Sequence, residues 1–404
     1  MSSEEHNFSK LSYLLTNTID KKIKKKDGIY FTPPKTINYN FNILEPFIKN
    51  VKTALEPSCG SCEYLQILNK KNPDIKITGI ELNKQIFDSI HSMESKNVKL
   101  YNADFLTFNF KIKYDLIFGN PPFYVLKKKE VSPEYYKYFD GRPNIFILFI
   151  IKSLSLLNDN GILSFVLPKN FLNCLYYNNT RKYICDNFEI LSIHECNDTY
   201  IETQQETIIL NIRKSDNKSK NNEFILSNKY IIFSTPENIL KINSLYDKST
   251  TLYNMGFKVI VGNVVWNQCK KELTDDNTKT LLIYSSDIEG QTLKIKKYSN
   301  VDKKNYINKE GQQGPILVIN RGYGVGNYTF NYCLINEDFD YLIENHLICI
   351  KYTKEITNTK LIKEYKKIIK SFDNKKTKDF IELYFGNNAI NTTELCEILP
   401  IYDE

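Results

Sequence analysis

The sequence predicts an α/β protein: an open, mostly parallel central sheet with helices on its faces, followed by a mixed α+β C-terminal domain. Over residues 50–122 short apolar strands alternate with helical patterns, the order that builds a parallel sheet. A length of 404 residues suggests two domains, or three. From about residue 245 the texture changes to short strands and turns.

VKTALEP, 51–57, reads as a first strand ending in the turn SCGS. EYLQILNKK, 63–71, has helical apolar spacing at Tyr64, Leu65 and Leu68. IKITGIEL, 75–82, is a second strand, and NKQIFDSIHSMES, 83–95, a second helix. VKLYNADF, 98–105, and YDLIFGN, 114–120, are the third and fourth strands. KKKEVSPEYYKYFDGRPN, 127–144, is polar and turn-rich, a long surface loop. NIFILFIIKSLSLLND, 144–159, is a strongly apolar helix; GILSFVLP, 161–168, and TIILNIR, 207–213, are further strands. KSDNKSKNNE, 214–223, lacks apolar residues and reads as a solvated linker, followed by a helix at ENILKINSLYD. GFKVIVGNVVW, TLLIYSS, PILVINRG and HLICI supply the later strands, and ITNTKLIKEYKKIIKSF a Lys-rich helix. The domains are expected at 1–240 and 241–404.

Composition narrows the class. The chain is 42% hydrophobic and 25% charged, as soluble globular proteins are. No apolar run reaches the roughly 18 residues a membrane helix needs, and MSSEEHNFSK has no signal-peptide core. An intracellular, cytoplasmic protein without membrane contact is expected. Nine scattered cysteines suit a reducing compartment. Cys59 and Cys62 form a CxxC, but zinc requires a second pair, so no metal site is expected. The net charge of +7 permits contact with a polyanion. KKIKKK, 21–26, and KKK, 127–129, are the runs that would touch phosphates.

In an open parallel sheet, ligands bind beyond the carboxyl ends of the strands. LEPSCGS follows the first strand, and its glycine lets backbone approach a ligand. Glu81 ends the second strand, where a carboxylate can accept bonds from ribose hydroxyls. Asp104 ends the third, where it can accept from an adenine amine, with Phe105 offering a ring face. The fourth ends in Asn120-Pro121-Pro122-Phe123. An exocyclic amine conjugated to a ring is a poor nucleophile with two N–H donors. The Asn120 side-chain oxygen and the Pro121 carbonyl can accept both. The prolines hold these acceptors in advance. Phe123 can stack on the base, and its π-face favours the positive charge growing on the amine. No strong general base is needed, since the proton can leave after attack. This agrees with His6, His91, His194 and His346 forming no constellation.

The series Y30-F-T-P-P34, LEPSCG, GIEL, NADF and GNPPF resembles the gamma-order adenine-N6 DNA methyltransferases. GRPNIFILF and GILSFVLPKNFL are similar to later family segments, so the likeness spans roughly 28–213. The resemblance implies a Rossmann-like methyltransferase fold, S-adenosyl-L-methionine as cofactor, double-stranded DNA as substrate, and a C-terminal target-recognition domain. A cognate restriction endonuclease on a separate chain is a possible partner. By motif position, Thr32 would bind the methionyl part, and Glu56, Ser58 and Gly60 the methionine and ribose side. Glu81 would hold the ribose, Asp104 and Phe105 the cofactor adenine, and Asn120, Pro121, Pro122 and Phe123 the target adenine, with Asn120 touching the cofactor as well. The family's second aromatic stands seven residues before a late strand; counting back from Thr207 gives Tyr200. One departure stands out: Ser61-Cys62 where many members have another glycine, so backbone approach is expected to differ there.

Rivals share the catalytic turn. RNA adenine-N6 methylation is the nearest. Protein-glutamine methylation is disfavoured by the TPP segment ahead of the glycine turn. A catalytically inactive DNA-recognition module is the non-enzymatic reading, disfavoured by the intact Asn120, Pro121 and Pro122. The lack of a Pro-Cys nucleophile motif disfavours cytosine-C5 chemistry. In the second domain GFKVIVGNVVWNQ, VINRGYGVGNY and LPIY resemble family recognition domains. Gly322, Gly324 and Gly326 read as a β-hairpin rather than a nucleotide loop, with Arg321 able to reach a base edge or phosphate.

Overall fold

Ser9 starts the first helix, α1 (Lys10–Thr18), by accepting the Ser12 N–H. The first lysine run becomes α2 (Lys21–Asp27) between two stops. Asp20 accepts the Lys22 N–H at 2.7 Å, and Gly28 ends the helix in the left-handed region at φ +67°. The TPP segment enters α3 (Pro34–Leu44), with proline in its first turn, where no intrahelical N–H bond is lost.

The computed structural model describes residues 8–198, 200–216, 223–321, 330–385 and 390–403. It divides into two compact units, 1–239 and 240–404. Among the described residues no helix is long and apolar enough to cross a membrane.

The first unit continues with β1 (Thr53–Glu56), α4 (Glu63–Lys71), β2 (Lys76–Glu81), α5 (Lys84–Ile90), β3 (Val98–Asn102) and β4 (Tyr114–Gly119). Then come α6 (Ile145–Ser155), β5 (Leu157–Pro168), α7 (Asn178–Asn187), β6 (Glu189–Cys196) and β7 (Thr207–Arg213). The seven strands form one sheet in the order β3-β2-β1-β4-β5-β7-β6. β1 to β5 pair in parallel, and β7 runs antiparallel between β5 and β6. This is the Rossmann-like methyltransferase fold, with its order reversing between β1 and β4.

Adjacent strand residues serve opposite faces, as the pleat requires. Leu55, Ile117, Leu163 and Leu210 pack into one core with α6, while Ala54, Leu116, Ile162 and Ile209 pack into the other with α3 and α4. Both faces are covered, so the strands read as continuous apolar runs. α6 is buried almost all round, which explains its apolar sequence.

Three features differ from expectation. The apolar helix stops at Ser155, and Leu157-Asn158-Asp159 already belongs to β5, because Leu157 pairs with Tyr114. Residues 189–196 form β6, a strand whose polar His194 and Glu195 break the apolar pattern at the sheet edge. The segment after the fourth strand carries two 3-10 turns, Lys128–Glu130 and Pro133–Tyr138.

In the second unit, strands Phe257–Val261, Leu347–Tyr352, Ile316–Asn320 and Tyr332–Ile335 form an antiparallel sheet in that order. A second sheet is built around Thr280–Ile283, and Asn358–Phe372 is a helix. Gly322, Gly324 and Gly326 lie outside the described residues. Arg321 precedes them, its N–H on the His346 carbonyl at 3.4 Å.

Candidate functional site

The carboxyl ends of β1 to β4 open on a cavity of about 540 Å³, within the roughly 300–1,000 Å³ of small-molecule sites. Ser58 and Gly60 after β1, Glu81 and Leu82 at the end of β2, Asp104 and Phe105 after β3, and Asn120 after β4 line it. A smaller cavity of about 130 Å³ lies between Pro121, Phe123, Tyr200 and Thr207. Gly28, Tyr30 and Asn120 line both.

Gly119 makes the turn into Asn120 possible. It sits at φ +130°, and a Cβ there would lie 3.2 Å from the Glu56 Cγ. The Asn120 amide nitrogen then donates to Thr32 Oγ1 at 3.0 Å and toward the Tyr30 carbonyl at 3.5 Å. A carbonyl can only accept, so it selects which end of the amide faces it. The other end, Asn120 Oδ1, is buried and has no partner in the protein. Leaving such an acceptor unmet costs about 1–3 kcal/mol. The Asn120 carbonyl is braced by Ser58 Oγ at 3.2 Å.

The ring walls are fixed separately. Phe123 stands edge-to-face on Phe146, with centroids 5.9 Å apart, at the start of α6. Tyr200 is 5% exposed and sits on the β6–β7 loop, its hydroxyl buried. Burial raises that hydroxyl above the ordinary phenol range.

Glu81 accepts the Gly60 N–H at 2.9 Å and the Asn83 N–H at 2.7 Å. Burial raises its carboxyl to about 7, and the N–H bonds from Asn83 and Gly60 oppose the rise. Asp104 accepts the Leu106 N–H at 2.8 Å in a tight turn. Leu82, 60% exposed, leaves an apolar edge on the cavity rim.

Four of the expected residues stand as follows. Thr32 lines neither cavity, and its hydroxyl accepts from the Asn120 amide. Glu56 is buried behind Gly119 rather than on the cavity wall, and burial, then Cys62 and Glu81, raise its carboxyl well above the usual range. Phe105 is 2% exposed, its ring packed against Phe149 at 4.8 Å, so it forms floor rather than an open face. Cys62 takes a left-handed φ of 62°, so the chain keeps a glycine-like path there without glycine. No group of three metal-ligating side chains occurs among the described residues.

Sequence reasoning missed several supports. Lys152, the lone charge inside α6, donates to the carbonyls of Leu106 at 2.8 Å and Phe108 at 3.0 Å, fixing the loop after Asp104. Its interruption of an apolar helix was the available signal. Glu130, Val131 and Tyr135, from the segment read as surface loop, form part of the cavity wall. Lys24, in the run expected to touch phosphates, is buried and paired with Glu202.

Residues 3–201 match the family model described as Eco57I restriction-modification methylase. Type II methyltransferase M.CvrRI of Paramecium bursaria Chlorella virus XZ-6E is 24% identical over 95% of this chain and 96% of its own length. Modification methylase CviBIII of Paramecium bursaria Chlorella virus NC1A is 26% identical, with the same coverage of 95% and 96%. Among solved structures, the type IIG restriction endonuclease BpuSI aligns with TM-score 0.43 and 10% identity over 85% of this chain and 55% of that one, a likeness too slight to bear on function.

Proposed function

We propose that this chain, whose residues 3–201 match the Eco57I restriction-modification methylase family model, is an S-adenosylmethionine-dependent DNA methyltransferase that acts on the N6 amine of an adenine turned out of the duplex. The larger cavity suits the cofactor. It joins a buried carboxylate at Glu81, a second carboxylate at Asp104 and the apolar edge of Leu82. Glu81 would accept from the ribose hydroxyls, and Asp104 from the adenine amine. S-adenosylmethionine, when bound, supplies an electrophilic methyl group on a sulfonium.

The chain's own residues do the rest. Asn120 Oδ1 accepts one amine proton and the Pro121 carbonyl the other, which aims the nitrogen lone pair. Phe123 and Tyr200 hold the ring between them. Phe123 also favours the charge that grows on the amine, by about 1–2 kcal/mol. The proton leaves after transfer, so no histidine is required. A paired, stacked adenine cannot reach a slot of this kind, hence the extrusion. Residues 1–240 form the catalytic domain in this reading, 241–404 recognise the target, and a separate endonuclease would cut unmethylated sites.

The observation that supports the reading most is Asn120 Oδ1, a buried acceptor with its amide nitrogen already engaged and its own partner missing. The test is methylation of plasmid DNA followed by modification-sensitive sequencing, with matched RNA as competitor. N6-methyladenine at a defined site is expected. Asn120→Ala should leave cofactor binding largely intact and lose about 100- to 1,000-fold in turnover, the usual loss for a group stabilising transition-state charge. Methylation of RNA alone, or an Asn120→Ala rate within a few-fold of the wild type, overturns it.

A further inference from the structure

We infer that Lys24 is a positioning residue that holds Tyr200 against the slot, tying it to the same short helix that abuts the Phe123 wall. The inference rests on Tyr200 being the second wall of the target-base slot. Tyr200 belongs to the β6–β7 loop, 197–206, which has no regular structure among its described residues. Side-chain bonds flank it on both sides, and Lys35 Nζ also stands 3.4 Å from Asp198 Oδ1. Thr36 Oγ1 donates to Asp198 Oδ2 at 2.6 Å, and Lys24 Nζ donates to Glu202 Oε1 at 2.7 Å. One bond lies two residues before Tyr200, the other two residues after it.

Lys24 is unlike the rest of its run. Lys21, Lys22, Lys25 and Lys26 are exposed, whereas the Lys24 side chain is 6% exposed. Its ammonium also donates to the Thr16 carbonyl. Burying a lysine is unfavourable unless its charge is met, and here Glu202 meets it. One turn further along α2, Gly28 touches the opposite wall. A Cβ built there would lie 3.0 Å from both the Phe123 nitrogen and the Pro122 Cβ. The helix thus reaches one wall through Gly28 and the other through Lys24, and its rigid turn fixes the spacing that a flat ring must enter.

The test compares wild type with Lys24→Met, Lys24→Arg and Tyr200→Ala. Each binds a duplex carrying 2-aminopurine at the methylated position. Lys24→Met keeps the apolar stem and leaves Glu202, about a quarter exposed, free to hydrate, so the fold should survive. Cofactor affinity should stay within about twofold, because Lys24 does not line the cofactor cavity. The fraction of probe held extruded should fall about tenfold, and KM for the duplex rise to match. Lys24→Arg should restore most of both. If Tyr200→Ala lowers the extruded fraction while Lys24→Met leaves it unchanged, Lys24 is structural only and the inference fails. If Tyr200→Ala itself changes nothing, the reading of Tyr200 falls and the role of Lys24 falls with it.

Discussion

Replacing Thr32 with valine tests how the Asn120 acceptor is aimed. Valine keeps the branched shape at a site that is 7% exposed, so packing is preserved while the hydroxyl is lost. In the native site Thr32 Oγ1 is the better of two acceptors for the Asn120 amide, at 3.0 Å against 3.5 Å for the Tyr30 carbonyl. Removing it forfeits a bond worth about 0.5–1.5 kcal/mol and leaves a buried N–H short of a partner, a cost of about 1–3 kcal/mol. With only the longer bond to the Tyr30 carbonyl left, the amide is less firmly aimed and Oδ1 loses its fixed place in the slot. A loss of about 1.4–2 kcal/mol in transition-state stabilisation is a fall of about 10- to 30-fold in the transfer rate.

Single-turnover transfer of a tritiated methyl group, at saturating cofactor, measures that rate. Calorimetry measures cofactor affinity in parallel. Thr32→Val should slow transfer and leave affinity within about twofold, and Thr32→Ser, which retains the oxygen, should recover most of the rate. The family resemblance gives Thr32 to the methionyl part of the cofactor instead. If Thr32→Val weakens cofactor binding and transfers normally once saturated, that role is correct and the hold on Asn120 is not.

Three further outcomes are expected. Glu81 has its carboxyl raised to about 7 by burial; the folded protein therefore binds that proton more tightly than the unfolded chain. Its contribution to apo stability is present below the ordinary glutamate range and is lost as pH rises through about 7. Cofactor binding runs the other way, since ribose hydroxyls donate to the ionised form. Affinity should rise about tenfold from pH ~6 to pH ~8, with Glu81→Gln flat, in calorimetric titrations. Gly28→Ala places a side chain at φ +67° against the Phe123 backbone; a loss of at least about 1–2 kcal/mol in urea unfolding is expected, with weaker DNA methylation. Phe123→Ala should remove about 1–3 kcal/mol of base stacking, and an unchanged 2-aminopurine response would exclude contact between this ring and the base.

How much of this was legible in the sequence depends on how far apart the cooperating residues lie. The strands β1 to β4 and the helices α4 and α5 were legible because burial on both faces writes unbroken apolar runs between turn residues. Glu81, Asp104 and Asn120 were legible because each is a polar residue at the tip of such a run, where an open sheet binds ligands. β6 was not, since an edge strand with His194 and Glu195 need not alternate cleanly. Nor were the supports. Thr32 and Asn120 are 88 residues apart and Lys24 and Glu202 are 178 apart, and neither pair leaves any local pattern.

The same distance bears on which residues can be exchanged. A strand-tip group that touches the substrate is constrained by its own chemistry, so Asn120 has no neutral replacement with the same acceptor and the same reach. A support is constrained only through its partner. Thr32 must offer an oxygen to one nitrogen, which serine also does. Lys24 must bring a positive charge to one carboxylate, which arginine also does. The site should therefore tolerate conservative exchange at Thr32 and Lys24 and refuse it at Asn120. A chain in which Lys24→Arg and Thr32→Ser were as damaging as Asn120→Ala would mean that these supports touch the reacting groups themselves.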